Sequence, residues 1–150
     1  MYRTILWATD ASPVSDDALP EAVRLLQPGG HLIAFHCDEW STGSRVNGIS
    51  LLADESDRAA KLQAQVAALR ADGVDAILEI EITHHHVVGE IAKAAEHYGA
   101  DAIVCGTRGF GVAGGTIAGS VAVRLPHVAS CPVIVVSKKA AERAAPATAG

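Results

Sequence analysis

Residues 100–125 constrain the fold more than any other part of the chain. Ile103-Val104-Cys105 is a short apolar run, typical of a parallel strand that is covered on both faces. A glycine-rich stretch follows, and the sequence becomes apolar again after Gly119-Ser120, which predicts a helix with its N-cap there. Glycine lets a ligand approach the backbone, and a helix N-terminus attracts anions. This stretch therefore predicts an anion site, and our functional hypothesis is that the anion is a nucleotide phosphate.

The rest of the chain alternates strand-like and helix-like segments. Strands are predicted at residues 2–9, 32–37, 74–83, 101–105 and 132–137, and helices at about 15–27, 51–71, 87–98 and from 120. Ser15 is the predicted N-cap of the first helix, Pro20 predicts a late start or a kink there, and Pro126 interrupts the last helix. The alternation predicts a parallel sheet covered on both sides, with the partly polar third strand at an edge. Ligands of such sheets bind beyond the carboxyl ends of the strands.

Composition narrows the class of protein. The chain has 150 residues, of which 49% are hydrophobic and 19% charged, so it is expected to form one packed domain. The net charge of -5 and the lack of a basic stripe give no support to nucleic-acid binding. Three separated cysteines without C-x-x-C indicate a reducing compartment. No leader or membrane-length apolar run is visible, so a cytoplasmic protein without a membrane partner is expected.

The same loop can be compared with two common nucleotide-binding motifs. The residues from Gly109 to Gly114 match G-x-G-x-x-G, which would favour a dinucleotide or flavin protein. That fold needs an acidic residue about 20 positions later, and none occurs between Gly111 and Ala141. A Walker A loop is absent because the sequence has no Gly-Lys-Ser/Thr. The dinucleotide interpretation is therefore the weaker alternative.

A second pattern in the loop is more specific. Gly106-x2-Gly109-x9-Gly119-Ser120 resembles the ATP-binding signature of the universal stress protein family at every position. The flanking segments at 100–104, 121–122 and 130–136 are similar to the family as well. The opening segment, from Ile5 through Asp10 to Ser12, looks like the family's first strand and its Asp. The resemblance extends over about residues 2–137, and the second quarter of the chain is its least specific part.

This resemblance implies an α/β fold. The expected architecture is a single-domain, three-layer, doubly wound parallel sheet of five strands in the order 3-2-1-4-5, like the adenine-nucleotide alpha-hydrolases. That order places the ends of the first and fourth strands, with Asp10 and Gly106, side by side. The resemblance also implies a universal stress protein domain over residues 1–139 and a flexible C-terminal tail over 140–150, which is expected to fray.

The resemblance further implies a set of nucleotide-binding residues. Asp10 would accept hydrogen bonds from the ribose hydroxyls or bind a metal with the phosphates, and Arg108 would pair with phosphate oxygens. Ser120 would donate its hydroxyl to phosphate, and the glycines would supply backbone donors. The implied set comprises Ala8, Thr9, Asp10, Cys37, Cys105, Gly106, Thr107, Arg108, Gly109, Gly111, Gly119, Ser120 and Val121. The implied cofactor is ATP, with or without Mg²⁺.

Each of these assignments has a structural alternative. Asp10 is also typical of a turn or helix cap, Cys37 of a small buried hydrophobic residue, and Arg108 of a solvated loop. Ser120 would cap its helix without any ligand. His84-His85-His86 departs from the family pattern, and adjacent histidines are either a polar loop or a transition-metal site. Because neighbouring side chains in a strand-like segment point to opposite sides, a polar loop is favoured.

The function implied is a nucleotide-dependent stress-response regulator with at most weak ATP hydrolysis. Nothing in the sequence resembles a general base or a P-loop lysine beside a γ-phosphate. The alternative is an interaction module of the same fold that binds no nucleotide. The last strand, Val133-Ile134-Val135-Val136, would be prone to aggregation at an unpaired sheet edge, so a homodimer through this strand is expected.

Overall fold

One parallel sheet contains the five strands of the described residues, in the order β3-β2-β1-β4-β5. The computed structural model describes residues 1–39, 50–107 and 120–144. The strands are β1 (Tyr2–Ala8), β2 (Leu26–Glu39), β3 (Asp75–Thr83), β4 (Ala102–Gly106) and β5 (Val133–Val136). The predicted strand order is therefore confirmed. The strand order changes direction between β1 and β4, so the carboxyl ends of these two strands lie side by side. Ligands of such sheets bind at this position.

Helices cover both faces of this sheet. They are α1 (Pro13–Asp16), α2 (Leu19–Leu25), α3 (Ser50–Ala71), α4 (Val87–His97), α5 (Ser120–Arg124) and α6 (Lys138–Ala144), with a 3₁₀ turn at Leu125–His127. Residues of α2 and α3 pack in one apolar cluster with alternate residues of β1 and β2. The other cluster contains residues of α4, α5 and the opposite strand faces. The fold is therefore the expected three-layer α/β fold.

The central strands are buried because helices cover both of their faces. Ile5, Leu6 and Trp7 of β1 are fully buried, as are Ile103 and Val104 of β4. Such continuous apolar runs are what a parallel sheet between two helical layers requires. The alternating residues of β1 then divide between the two clusters, so the sheet has two cores of similar extent.

Strand β2 is longer than the predicted residues 32–37. It begins at Leu26, which pairs with Tyr2, and its register with β1 shifts before His31 pairs with Thr4. Gly29, with a φ of +72°, lies in the irregular part and takes a left-handed conformation that favours glycine. The helix before it ends at Leu25 rather than at about residue 27, because the chain is already extended at Leu26.

The first predicted helix is two short helices. Of the late start or kink expected from Pro20, the late start is confirmed, since α2 begins at Leu19 and Pro20 lies in its first turn, where its missing N–H costs nothing. The interruption by Pro126 is confirmed too, because α5 ends at Arg124 and a 3₁₀ turn follows. Helix α6 was not predicted, and its Ala141 packs against the first cluster. The domain boundary at residue 139 stays a prediction.

The two edges of the sheet are β3 and β5. The polar residues of β3 correctly predicted its edge position. Edge β5 exposes Val135, and exposed apolar strand edges tend to pair with other chains. Among the described helices, none is both long and apolar enough to cross a bilayer.

Candidate functional site

The carboxyl end of β1 forms a tightly bonded turn. The N–H of Thr9 donates to the Phe35 carbonyl at 3.0 Å and extends the parallel ladder beyond the strand. The buried Thr9 hydroxyl lies 2.9 Å from the Ser15 hydroxyl and accepts a hydrogen bond from the Ala11 N–H at 3.0 Å. Thr9 therefore connects the strand end to the helix after it, and its side chain is directed to the α1 side of the sheet.

Asp10 lies at the apex of this turn and is half-buried. Its Oδ1 accepts a hydrogen bond from the Ser12 N–H at 2.9 Å, an interaction typical of an Asx turn. The next residue, Ala11, has a φ of +63°, which is costly for an L-residue and persists where the surroundings determine it. The predicted turn role of Asp10 is thus present in the structure, and it fixes the position of the carboxylate.

The N-cap of α1 is Ser12 and not the predicted Ser15. The Ser12 hydroxyl accepts a hydrogen bond from the Ser15 N–H at 3.2 Å, and Pro13 occupies the first helical position. Proline is favoured there because its φ suits the helix and no N–H is lost. Ser15 is instead a buried residue inside the helix, and its carbonyl accepts from the Trp7 indole N–H at 3.0 Å. This short helix is therefore tied to β1 through the Ser15 carbonyl.

Helix α3 braces the same turn from the side. The Lys61 ammonium donates to the Ala11 carbonyl at 2.7 Å and forms an ion pair with Asp16. Gln65, one helical turn later, donates to the second Asp16 oxygen at 3.0 Å. These contacts connect residues 45 to 50 positions apart, and sequence reasoning missed them because nothing local in α3 signals its partner.

The end of β4 lies directly against this turn. Strand register places Cys105 beside Ala8, and the Thr107 N–H donates to the Val136 carbonyl at 3.1 Å. A Cβ on Gly106 would lie only 2.6 Å from the Val14 carbonyl oxygen of α1. The first glycine of the predicted signature therefore has a packing role in this fold, independent of any ligand.

An apolar rim borders the turn on the other side of the sheet. Ala8 and Cys105 are buried in the second cluster, and Cys37 and Val121 pack at its margin and are half-buried. Burial raises the pKa of the Cys105 thiol to about 11, so the thiol is neutral and acts as a small apolar group. The structure thus brings four of the predicted site residues around one cluster, next to Asp10.

The remaining predicted site residues belong to the glycine-rich loop and the helix start after it. Arg108, Gly109, Gly111 and Gly119 lie outside the described residues. Ser120 is the first residue of α5, which agrees with the predicted helix start at this position. The assignment of these five residues to nucleotide binding stays a prediction.

The three adjacent histidines form the connection between β3 and α4. All of them are exposed, and the His85 N–H donates to the Thr83 hydroxyl at 2.9 Å. His86 precedes α4, where its side chain makes no capping hydrogen bond. In residues 1–39, 50–107 and 120–144, no group of three potential ligands is arranged to hold a metal ion.

Sequence reasoning also missed a buried polar residue beside the turn. His36 on β2 lies under the carbonyl of Thr9, and Glu55 of α3 contacts the other side of its ring. A histidine near a strand end gives a weak signal, since its buried partners come from distant segments.

Comparison with known structures agrees with this geometry. UspA of Lactobacillus plantarum is 24% identical, with a TM-score of 0.72 and coverage of 90% of this chain and 97% of that one. A universal stress family protein of Burkholderia pseudomallei is 27% identical, with a TM-score of 0.69 and coverage of 90% and 96%. A universal stress protein solved in complex with cAMP is 22% identical, with a TM-score of 0.61 and coverage of 91% and 97%.

No curated protein sequence matches this chain significantly. The model of the universal stress protein family, however, matches residues 1–137, which is most of the chain and includes every strand of the sheet. This chain, with its strand order, its Asp10 turn and the position of its Gly106, therefore belongs to the universal stress protein family.

Proposed function

We propose that this chain is an adenine-nucleotide-binding universal stress protein and regulates the stress response through nucleotide occupancy. The observation that carries the proposal is the juxtaposition at the switch point of the sheet. Asp10 lies at the end of β1, the signature begins at Gly106 at the end of β4, and β1 and β4 are neighbours. A nucleotide has polar and apolar parts, and this corner offers groups suited to both.

The described residues fit a nucleoside in two respects. Asp10 is a fixed carboxylate, which would hold the ribose hydroxyls. The half-buried rim of Cys37 and Val121, next to buried Ala8, provides apolar contact for a base. The phosphates would be held by backbone donors of the signature, with Gly109, Gly119 and Ser120 assigned from the sequence pattern. The cAMP complex of one structural relative supports the choice of nucleotide class.

Calorimetric titration with ATP, ADP and AMP, each with and without Mg²⁺, tests the proposal. We expect saturable heat with at least ATP, and the absence of heat with all three would reject it. Substituting Gly119→Leu is expected to abolish binding, because a bulky side chain would block approach to the backbone. The circular dichroism spectrum and the midpoint of urea unfolding should stay those of the wild type.

Asp10→Asn separates the role of the carboxylate in binding from its role in the turn. Asn keeps an oxygen that can accept from the Ser12 N–H but lacks the charge. We expect ATP affinity to fall about 10-fold or more, as for loss of a charged acceptor, while stability is preserved. Asp17→Asn, which makes the same charge change at the end of α1, is the matched control and should bind ATP as the wild type does.

A second candidate function is an interaction module of the same fold. It is favoured by the structural uses of Gly106 and Asp10, which would both be needed without a ligand. The same titration decides between the two, because such a module binds none of the three nucleotides. ATP hydrolysis is expected to be weak or absent, and release of phosphate from purified protein measures it.

We also propose a homodimer through β5. This strand is a sheet edge with exposed Val135, and pairing with a second copy would satisfy its outer backbone groups. Light scattering at micromolar concentration should give twice the mass of the chain. A monomeric mass, or an unchanged dimer in a Val135→Lys variant, would argue against this interface.

A further inference from the structure

His36 occupies a buried position at the carboxyl end of β2. Its ring is almost fully shielded from solvent and lies on the α3 side of the sheet. Nδ1 is 2.9 Å from the Thr9 carbonyl oxygen, and Nε2 is 2.8 Å from Oε1 of Glu55. Both polar atoms of the side chain therefore have partners, which belong to the turn after β1 and to α3.

The carbonyl partner determines where the proton of the ring must be. A carbonyl oxygen only accepts hydrogen bonds, so Nδ1 must carry a proton and donate. Thr9 and Asp10 share the peptide group to which this carbonyl belongs. The ring of His36 therefore fixes the orientation of the peptide plane from which the Asp10 side chain extends.

Charged groups from β2 and α3 surround the outer side of the ring. Glu55 contacts Nε2 directly, and Arg58 approaches the other Glu55 oxygen at 3.7 Å. Burial, followed by the neighbouring Glu55 carboxylate, raises the pKa of Asp38. Glu55 is thus held between His36 and Arg58, and it limits rotation of the imidazole ring.

We propose that His36 is a positioning residue for the nucleotide site, which holds the Thr9–Asp10 peptide through Nδ1–H while Glu55 fixes its ring. The inference rests on the proposed nucleotide binding and adds a residue that touches no part of the ligand. It couples the start of α3 to the ribose-binding carboxylate through a chain of two hydrogen bonds.

Two substitutions of His36 separate its two hydrogen bonds. In His36→Asn the amide nitrogen takes the place of Nδ1, and in His36→Gln it takes the place of Nε2. We expect His36→Asn to bind ATP within about 3-fold of the wild type, and His36→Gln to bind about 10-fold more weakly, as for loss of other supporting contacts. The amide resonances of Ala11 and Ser12 should shift in ligand-free His36→Gln and stay near their wild-type positions in His36→Asn.

Substitutions of Glu55 give a test that does not alter the buried ring. Glu55→Leu removes the anchor and should weaken ATP binding several-fold and shift the same two amide resonances. Glu55→Gln, whose side-chain amide can either donate to or accept from Nε2, should restore both. This pair of Glu55 variants also tests the positioning role if a His36 variant fails to fold.

The outcomes distinguish this inference from the proposal on which it rests. Absence of ATP binding by the wild type would reject the nucleotide function and with it the role of His36 in binding. Wild-type binding together with equal affinities in His36→Asn and His36→Gln, or in Glu55→Leu and Glu55→Gln, would reject the positioning role alone. Unshifted Ala11 and Ser12 amides in His36→Gln would reject it without any ligand.

Discussion

The two faces of the sheet differ sharply at the carboxyl end of β1. On the α1 and α3 side, Thr9, Ser15 and Lys61 are linked by hydrogen bonds within the protein. On the α4 and α5 side, Ala8 lies in an apolar cluster whose margin includes half-buried Cys37. The difference teaches that polar residues close to the proposed site hold its shape, whereas the proposed contact area for an apolar ligand group lies on the opposite face.

Gly106 gives the largest expected effect on the polar face. A Cβ there would lie 2.6 Å from the Val14 carbonyl oxygen and 3.0 Å from its carbonyl carbon. Because these are backbone atoms, no rotamer change relieves the clash, and overpacking of this kind costs about 1–3 kcal/mol. We expect Gly106→Ala to lower the free energy of unfolding by about 3 kcal/mol in urea denaturation.

Gly89 in α4 is the matched control, since nothing lies within 4 Å of the position of its missing Cβ. Gly89→Ala should raise the free energy of unfolding by roughly 0.5–1 kcal/mol, because alanine loses less backbone entropy in a helix. If Gly106→Ala were no less stable than the wild type, the packing role of this glycine would be wrong.

Cys105 tests the apolar face. Burial raises the pKa of its thiol to about 11, so the reactive thiolate is about 100-fold scarcer than at an ordinary cysteine. We expect iodoacetamide at pH 8 to modify Cys105 about 100-fold more slowly in the native protein than in urea, as followed by peptide mass spectrometry. Equal rates in the two conditions would show that the apolar face opens to solvent.

The sequence alone predicted the elements and their type better than the site. Apolar runs at β1 and β4 and the proline positions carry local information, since they depend on burial and on backbone geometry within a few residues. Strand order came from the family resemblance, because chain order does not determine it. Ser12 and Ser15 are both possible caps by type, and Pro13 is the local signal that favours Ser12.

The parts of the site that were missed depend on long-range pairing. Lys61 and Glu55 are ordinary polar residues of a long helix, and only the packing of α3 shows that they contact Ala11 and His36. Gly106 shows the reverse case, since a residue that the motif assigns to a ligand also has a packing reason in the fold. Local patterns therefore locate a site but do not separate its scaffold from its contacts.

Lys61 measures how strongly α3 supports the polar face. Lys61→Met keeps the length of the side chain but removes its bond to the Ala11 carbonyl and its ion pair with Asp16. Because the ammonium is partly exposed, we expect a loss of only about 1 kcal/mol in the free energy of unfolding. Arg24→Met, which breaks the exposed pair with Glu21, should cause no measurable change. Similar losses in both variants would mean that the α3 contact is an ordinary surface pair.

The smallest expected effect lies at the β3 edge, where carboxylates crowd under α4. Burial, then the Glu90 carboxylate, raises the pKa of Glu81, while a hydrogen bond from Lys93 is the main cause that lowers the pKa of Glu90. A raised pKa means that the folded state binds the Glu81 proton more tightly than the unfolded chain does, so ionised Glu81 opposes folding at pH 7. We therefore expect Glu81→Gln to be slightly more stable than the wild type at pH 7, by thermal unfolding.

This advantage should shrink as the pH falls through the raised pKa of Glu81 and vanish below the ordinary carboxyl range. Glu142→Gln, at an exposed position of α6, should show no such pH-dependent gain, and an equal gain there would attribute the effect to net charge rather than to the β3 edge.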